Sequence, residues 1–195
     1  HEDNVHDYAA VGCLENTMVG NDRSGTVDNN INLLKAMELV YGNGCDMLPY
    51  LDPMSRKWSK IKQEGPKTGE LASLDTWDKF YRAFAEQTKF IVKKMVDVYE
   101  MSEMIRARYN PTPYLSTLVK GCAEQGLDVT QGGAELSYTT MEGVTFATTV
   151  DSLLAVKYLV YDKKECSLEA LVQALKDNWQ GHEILQSKAL HRAPK

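Results

Sequence analysis

The pattern of hydrophobic and polar positions changes period several times along the chain. A short apolar run, Tyr8 to Val11, is followed by a polar stretch rich in turn-forming residues, "GNDRSGT". We therefore predict a loop over residues 1–28, with Cys13 on it or at a strand-to-loop junction. Hydrophobic residues then recur at helical spacing up to the glycines at 42 and 44, which predicts a helix over 29–42.

Residues 45–72 carry prolines and glycines among charged residues, which predicts a surface excursion with a short hairpin near 55–58. Asp75 is placed to cap a long helix that continues to about residue 108. Its aromatic and aliphatic positions step round one face, which is typical of core packing. The members of this face are Trp77, Phe80, Phe84, Thr88, Ile91, Met95 and Tyr99.

"NPTPY" at 110–114 interrupts the helical pattern, and a further helix is predicted from Pro113 to about Gly126. The alternation after the glycine pair predicts a strand near 134–140. Helices follow over 147–161 and, with Ser167 as N-cap, over 168–179. The whole pattern, 75–195 being helices plus that strand, indicates an α/β, helix-rich chain with few short strands.

Composition excludes several classes of function. The chain has 195 residues, is 43% hydrophobic and 25% charged, and carries a formal net charge of -5. Interspersed charges predict no nucleic-acid partner, and no apolar run is long enough for a membrane span. The four cysteines are scattered without metal-ligand spacing, so we expect no metal site and a reduced, cytoplasmic protein. The start at His1 leads us to expect a piece of a larger polypeptide.

Cys13, in the string "GCLE", admits four interpretations. It could be a buried small hydrophobe, a metal ligand, a thiolate nucleophile or a neutral hydrogen-atom donor. Spacing argues against a metal. Glu15, two residues on, would raise the pKa of a thiol and so disfavours a thiolate. A carboxylate is harmless beside a neutral thiol, and it can handle a proton.

Glycines concentrate in two polar loops, one around Cys13 and one before the predicted strand. They are either ordinary turn residues or positions of close backbone approach. In the second case both loops are shaped around a common space, which Glu135 and Glu142 would line if they face it; otherwise both are surface residues.

The strings "VGCLEN", "GTVDNNINLLKAMELVYGNG", "QGGAELSYTTMEGVTFATTVDSLLAVKYLVYD" and "EILQSKALHRAPK" resemble the glycyl radical enzymes, the pyruvate formate-lyase-like superfamily. The resemblance spans essentially the whole chain. "ENTMVGNDRSGTVD" resembles most the arylacetate decarboxylase branch, typified by the 4-hydroxyphenylacetate decarboxylase large subunit. The resemblance implies that residues 1–195 are a single segment of a ten-stranded β/α barrel.

In that family a radical stored on a backbone glycine takes a hydrogen atom from the cysteine of this motif, and the thiyl radical starts the reaction. Cys13 matches that cysteine, and Glu15 matches the proton-handling glutamate. For the decarboxylase branch the resemblance implies conversion of an arylacetate to a methylarene, such as p-cresol, and carbon dioxide. This would belong to anaerobic breakdown of aromatic amino acids.

Glu142 is the best match to the family's glutamate at the substrate phenol, with Glu135 as the other candidate. Residues 42–52 hold no histidine for the phenol, and Asp46 stands where one would be sought, which favours phenylacetate or indoleacetate instead.

The glycine-radical motif does not occur in this sequence, so the implied cofactor would lie on a residue outside the chain, with none bound by this segment. A radical S-adenosylmethionine activating enzyme would install it. The other implied partners are a small aromatic carboxylic acid, a small iron–sulfur subunit and further copies of the chain in a homo-oligomer. The implied setting is the cytoplasm of an anaerobic bacterium.

Three alternatives stand beside the decarboxylase. The first is another glycyl radical lyase or dehydratase, of the choline or diol type. The second is a non-catalytic helical module that retains the motif, and the third is a cysteine hydrolase.

Overall fold

The computed structural model describes residues 6, 8–11, 15–23, 29–49, 51–52, 54–58 and 60–194. Cys13 lies outside the described residues. Short strands form two two-stranded sheets: β1 (Tyr8–Val11) with β2 (Glu15–Met18), and β3 (Asn29–Asn32) with β4 (Met141–Val144). The helices are α1 (Leu33–Tyr41), α2 (Trp77–Tyr109), α3 (Pro113–Ser116), α4 (Cys122–Gln125), α5 (Phe146–Val156), α6 (Leu168–Lys176) and α7 (Glu183–His191). Short 3₁₀ turns cover Leu71–Ser73 and Val129–Gln131, and α5 continues as a π-helix over Lys157–Asp162.

The predicted strand at 134–140 is wrong in position. Leu136 makes one isolated parallel bridge to Asp22, while the amide before it donates to the carbonyl of Lys120. Because two different segments take these backbone groups, no continuous ladder forms, and the strand begins only at β4.

Several helix boundaries also differ from the prediction, among them the end of α6, which lies at Lys176 and not at residue 179. The helix predicted over 29–42 is preceded by β3, and α1 begins at Leu33, where the Asn32 side chain accepts from the Leu34 amide. The helix predicted from Pro113 to Gly126 is divided into α3 and α4. Thr76, not Asp75, accepts from the Lys79 amide at the start of α2, whereas Asp75 pairs with the Lys79 ammonium. The predicted cap Ser167 is confirmed by its bond from the Ala170 amide.

The chain divides into two compact units. Unit 1 comprises residues 1–31 and 93–142, and unit 2 comprises 32–92 and 143–195. In unit 1, α4 and the neighbouring turn build a small core of Val119, Cys122, Val129 and Ala134.

The core of unit 2 confirms the predicted packing role of the first part of α2. Phe80 is fully buried, and its ring lies 5.8 Å from Trp77 and 6.1 Å from both Tyr41 and Tyr161. The other buried members of this core come from α1, α2, α5 and α6, together with Leu74, which follows the first 3₁₀ turn.

The predicted excursion of 45–72 contains isolated bridges and one 3₁₀ turn among its described residues. The bridge between Leu51 and Trp58 confirms the short hairpin predicted there. Gln87 of α2 is fully buried and donates to the carbonyl of Pro66, which ties the excursion to the helix.

Candidate functional site

The candidate site begins with the antiparallel hairpin that flanks Cys13 in unit 1. The register pairs Tyr8 with Met18 and Val11 with Glu15, so residues 12–14 connect the two strands. Glu15 is the first residue of β2, but its side chain, like Cys13, is not described. Cys13 is one of the three residues that stand between β1 and β2 in the sequence, and all three lie outside the described residues.

The end of the hairpin away from Cys13 is held by Asp22. This residue is buried, and its carboxylate accepts hydrogen bonds from the Met18 amide, from Thr17 Oγ1 at 2.9 Å and from Tyr138 Oη at 3.0 Å. Thr17 and Met18 are the last two residues of β2, whereas Tyr138 is 116 positions away in the chain. Asp22 therefore stabilises the local turn after β2 and also joins that turn to a segment that is distant in the sequence.

Arg23 makes a second tie from the same turn. Its two terminal guanidinium nitrogens contact the two carboxylate oxygens of Glu103 at 2.7 and 2.8 Å. The guanidinium also donates to Tyr99 Oη at 3.2 Å. Burial acts to lower the pKa of Arg23, but the hydrogen bonds to Glu103 and Tyr99 outweigh it and raise that pKa. The guanidinium thus stays charged and fixes the turn to the second half of α2.

The segment after the glycine pair packs directly against this turn. The Arg23 amide donates to the Leu136 carbonyl at 2.9 Å, and the Leu136 amide donates to the Asn21 carbonyl at 3.0 Å. Gly133 approaches so closely that a Cβ there would overlap the Leu127 carbonyl oxygen, whereas Gly132 serves a left-handed turn. The backbone bonds bring the two glycine-bearing loops together, whereas Gly133 makes its close approach within its own loop and Gly20 meets open space.

Glu135 and Glu142 occupy different surroundings within unit 1. Glu135 is about half exposed, and its carboxylate pairs with Lys120 at 3.0 Å; the Lys120 amide in turn donates to the Gly20 carbonyl. Glu142 lies in β4 with an intermediate exposure. The structure thus brings Glu135 next to the turn at the end of the hairpin away from Cys13, while Glu142 shares no described hydrogen bond with that turn.

Asp46 makes its contacts inside unit 2. Its carboxylate is only 6% exposed and pairs with Lys35, which also pairs with Glu38 at 2.8 Å. Burial acts to lower the pKa of Lys35, but its hydrogen bonds to Asp46 and Glu38 raise it. The carboxylate is thus already engaged by a cation of its own unit.

Unit 2 also contains a cavity of about 550 Å³ between α1, α5, α6 and α7. Lys35 and Glu38 line it together with a larger number of apolar side chains, but Glu135, Glu142 and Asp46 do not. Within the described ranges, His, Cys, Asp and Glu side chains form no group of three suited to a metal ion. None of the described helices combines the length and apolar character needed to cross a membrane.

Sequence reasoning missed Asp22, Arg23, Glu103 and Tyr138 as parts of this site. The "NDR" string between two glycines is typical of an ordinary polar turn, and nothing local shows that its carboxylate becomes buried. Thr17 and Met18 are local partners of Asp22. The distant partners of Asp22 and Arg23 follow 76 to 116 positions later, so only the fold reveals those.

Comparison with known proteins places this geometry in a family. A model described as pyruvate formate lyase-like matches residues 1–195. Trans-4-hydroxy-L-proline dehydratase of Clostridioides difficile is 31% identical over 94% of this chain and 22% of its own length. Isethionate sulfite-lyase of Nitratidesulfovibrio vulgaris is 33% identical over 96% of this chain and 22% of its own. The chain therefore spans about a fifth of the curated relatives it matches.

The fold agrees with this assignment. The crystal structure of a glycyl radical enzyme from Archaeoglobus fulgidus matches all of this chain, and 23% of its own, with a TM-score of 0.84 at 28% identity. The prediction of a helix-rich α/β segment of the glycyl radical enzyme fold is confirmed, and so is the resemblance at the level of the superfamily. The chain belongs to the pyruvate formate lyase-like family of glycyl radical enzymes.

Proposed function

We propose that this chain is the cysteine-bearing segment of a glycyl radical lyase that expels a leaving group from a small polyfunctional substrate, most simply water from a hydroxylated one. The observation that carries the proposal is the similarity, over nearly the whole chain, to a dehydratase and a sulfite-lyase. It supports the dehydratase and lyase alternative better than the decarboxylase. The complete enzyme is proposed to be a polypeptide of the relatives' length, in which this segment is one part.

Cys13 is the proposed hydrogen-atom carrier. A glycyl radical on a residue outside this chain, installed by an activating enzyme, supplies the one-electron chemistry when present. The sulfur takes a hydrogen atom from a substrate C–H, the bond from the adjacent carbon to the leaving group breaks, and the thiol returns the hydrogen atom to the product carbon. For a dehydratase the net change is loss of water, which needs no outside oxidant or reductant.

Glu15 is the proposed proton carrier. A leaving hydroxyl must gain a proton to depart as water, and the substrate's remaining hydroxyl must lose one, so a single carboxyl within hydrogen-bond reach can serve both steps. The register supports this pairing of roles, since Glu15 begins β2 two residues after Cys13.

The predicted binding residues divide into two groups. Glu135 and Glu142 remain proposed pocket residues of unit 1. Asp46 is proposed instead to be structural, because its carboxylate is buried against Lys35.

The arylacetate decarboxylase is the second candidate, and the polar string after Cys13 is the feature that favours it. It would bring an aromatic acid as substrate and a small iron–sulfur subunit as partner. For either candidate we propose a homo-oligomer in the cytoplasm of an anaerobic bacterium.

The test uses the complete polypeptide, activated anaerobically and offered a panel of substrates. The panel contains vicinal diols, 4-hydroxyproline, isethionate, phenylacetate, 4-hydroxyphenylacetate and indoleacetate. We expect a dehydration product or sulfite; carbon dioxide with p-cresol, toluene or skatole would instead establish the decarboxylase.

Cys13→Ser should abolish turnover of whichever substrate is accepted, and the matched control Cys166→Ser, in the loop that precedes α6, should retain it. Turnover retained by Cys13→Ser would overturn both candidates. A strongly lowered pKa of Cys13, measured by thiol alkylation across pH, would favour the cysteine hydrolase.

A further inference from the structure

We propose that Asp22 and Tyr138 are positioning residues for Cys13, a role that rests on the proposed function. Their hydrogen bond locks the end of the β1–β2 hairpin to the segment that follows the glycine pair. The tie sets where the opposite end of the hairpin, which leads into Cys13, meets the substrate.

Three observations distinguish this tie from an ordinary turn. Asp22 is 8% exposed, so a carboxylate is held inside unit 1 by a set of donors. The Met18 amide and Thr17 Oγ1 come from β2 itself, so the carboxylate is bonded to the strand that carries Glu15. Tyr138 Oη comes from the far segment at 3.0 Å, next to the bridge between Asp22 and Leu136.

The distance along β2 explains why the hydrogen bond between Asp22 and Tyr138 affects catalysis, because a small rotation at Met18 moves the far end of the strand. From Met18 to Glu15 the strand advances three residues, a length of about 10 Å. A rotation of about 6° at Met18 therefore displaces the far end of β2 by roughly 1 Å, and a displacement of that size can cost about a hundredfold in rate. The hairpin has only four residues in each strand, so its own pairing offers little resistance to such a rotation.

Arg23 reinforces the same turn through partners in α2. Its bonds to Glu103 and Tyr99 hold the residue after Asp22. Among the described hydrogen bonds, those of Asp22 join β2 to Tyr138, so the hydroxyl of Tyr138 is the group to remove.

The principal variant is Tyr138→Phe, which deletes one oxygen and keeps the ring. Tyr114→Phe is the matched control, because Tyr114 is 80% exposed in the same unit. Asp22→Ala is the stronger variant. In the complete protein before activation, hydrogen–deuterium exchange of residues 15–18 should be about tenfold faster in Tyr138→Phe, since a hydrogen bond to a charged group is being lost. Exchange of residues 113–125 should not change.

The activated enzyme supplies the readout that distinguishes positioning from folding. We expect Tyr138→Phe to lower kcat about tenfold with KM within about twofold, and Asp22→Ala to lower kcat about a hundredfold. The glycyl radical content measured by electron paramagnetic resonance should equal that of the parent. The deuterium isotope effect on kcat with labelled substrate should rise, because hydrogen transfer becomes slower than the other steps.

Unchanged exchange in residues 15–18, or acceleration shared equally by 113–125, would overturn the tie. An unchanged kcat in Tyr138→Phe, or a rise of KM without a fall of kcat, would overturn the positioning role. Failure of the proposed function appears separately, as turnover retained by Cys13→Ser, whereas the exchange experiment needs no turnover.

Discussion

Two arginines share one carboxylate in unit 1, and they allow a quantitative prediction. Arg23 contacts both oxygens of Glu103, at 2.7 and 2.8 Å, with its side chain 12% exposed. Arg106 contacts the same residue at 3.2 Å from the neighbouring helical turn, with its side chain 39% exposed. Arg23→Met and Arg106→Met remove one guanidinium each and keep an apolar stem, so they differ mainly in burial and geometry.

The expected losses of local opening free energy follow from that difference in burial and geometry. A hydrogen bond to a charged group contributes about 1.5–3 kcal/mol, and Arg23 loses two of them to Glu103 and one to Tyr99. Glu103 keeps Arg106 as a partner, which offsets part of the loss, so we expect Arg23→Met to cost about 2 kcal/mol in the local opening free energy. The exposed pair of Arg106 is worth less than about 1 kcal/mol.

Native-state hydrogen exchange of residues 15–23 and 134–138 is the measurement. Arg23→Met should make opening of these segments roughly 30-fold more frequent, and Arg106→Met less than about fivefold. Raising the salt concentration should weaken the contribution of Arg106 and leave that of Arg23 largely intact, because buried pairs are screened less. Equal effects of the two substitutions, or no effect of Arg23→Met, would show that burial does not strengthen the ion pair between Arg23 and Glu103.

Three further predictions concern stability. Although burial acts to raise it, hydrogen bonds from Thr130, Ser116 and Thr112 lower the pKa of Asp128 from 3.8 to about 2. Because the folded pKa is the lower one, this stabilisation is complete above about pH 4 and is lost as the pH falls toward 2. Asp128→Asn should therefore flatten the acid-induced loss of exchange protection in 112–116, and a profile identical to the parent's would contradict this. Gly44→Ala should lower the melting temperature far more than Gly181→Ala. Both glycines have a positive φ, so both substitutions strain the backbone. A Cβ at Gly44 would also lie 2.5 Å from two carbonyl oxygens, whereas a Cβ at Gly181 would meet open space. Phe80→Ala should lower the free energy of unfolding, measured with urea, by about 3–5 kcal/mol, because the ring is fully buried. The control Phe146→Ala should lower it by less than about 0.5 kcal/mol, because Phe146 is 67% exposed. Similar values for the two variants would show that the ring cluster is not a core.

Local chemistry explains which parts of the fold were predictable. Ser167 caps α6, Gly42 ends α1, and the aromatic residues at the start of α2 pack into the core of unit 2, because each feature is encoded by side chains within a few positions. The strand predicted at 134–140 was misplaced because its alternation is real but its hydrogen-bond partners, Asn21 and Lys120, belong to separate segments. Periodicity describes a strand's faces and carries no information about its neighbours.

The reactive residues of the site can likewise be recognised from the local sequence, whereas the residues that hold them in place cannot. The family could be recognised from "GCLE" and its accompanying strings, and with it came the predicted roles of Cys13 and Glu15. The pairing of Asp46 with Lys35 and the hydrogen bond from Tyr138 to the buried Asp22 became visible only in the folded chain. A reactive residue is recognised by its type and its neighbours in the chain, whereas the residues that hold it in place come from wherever folding brings a matching donor, here 116 positions away.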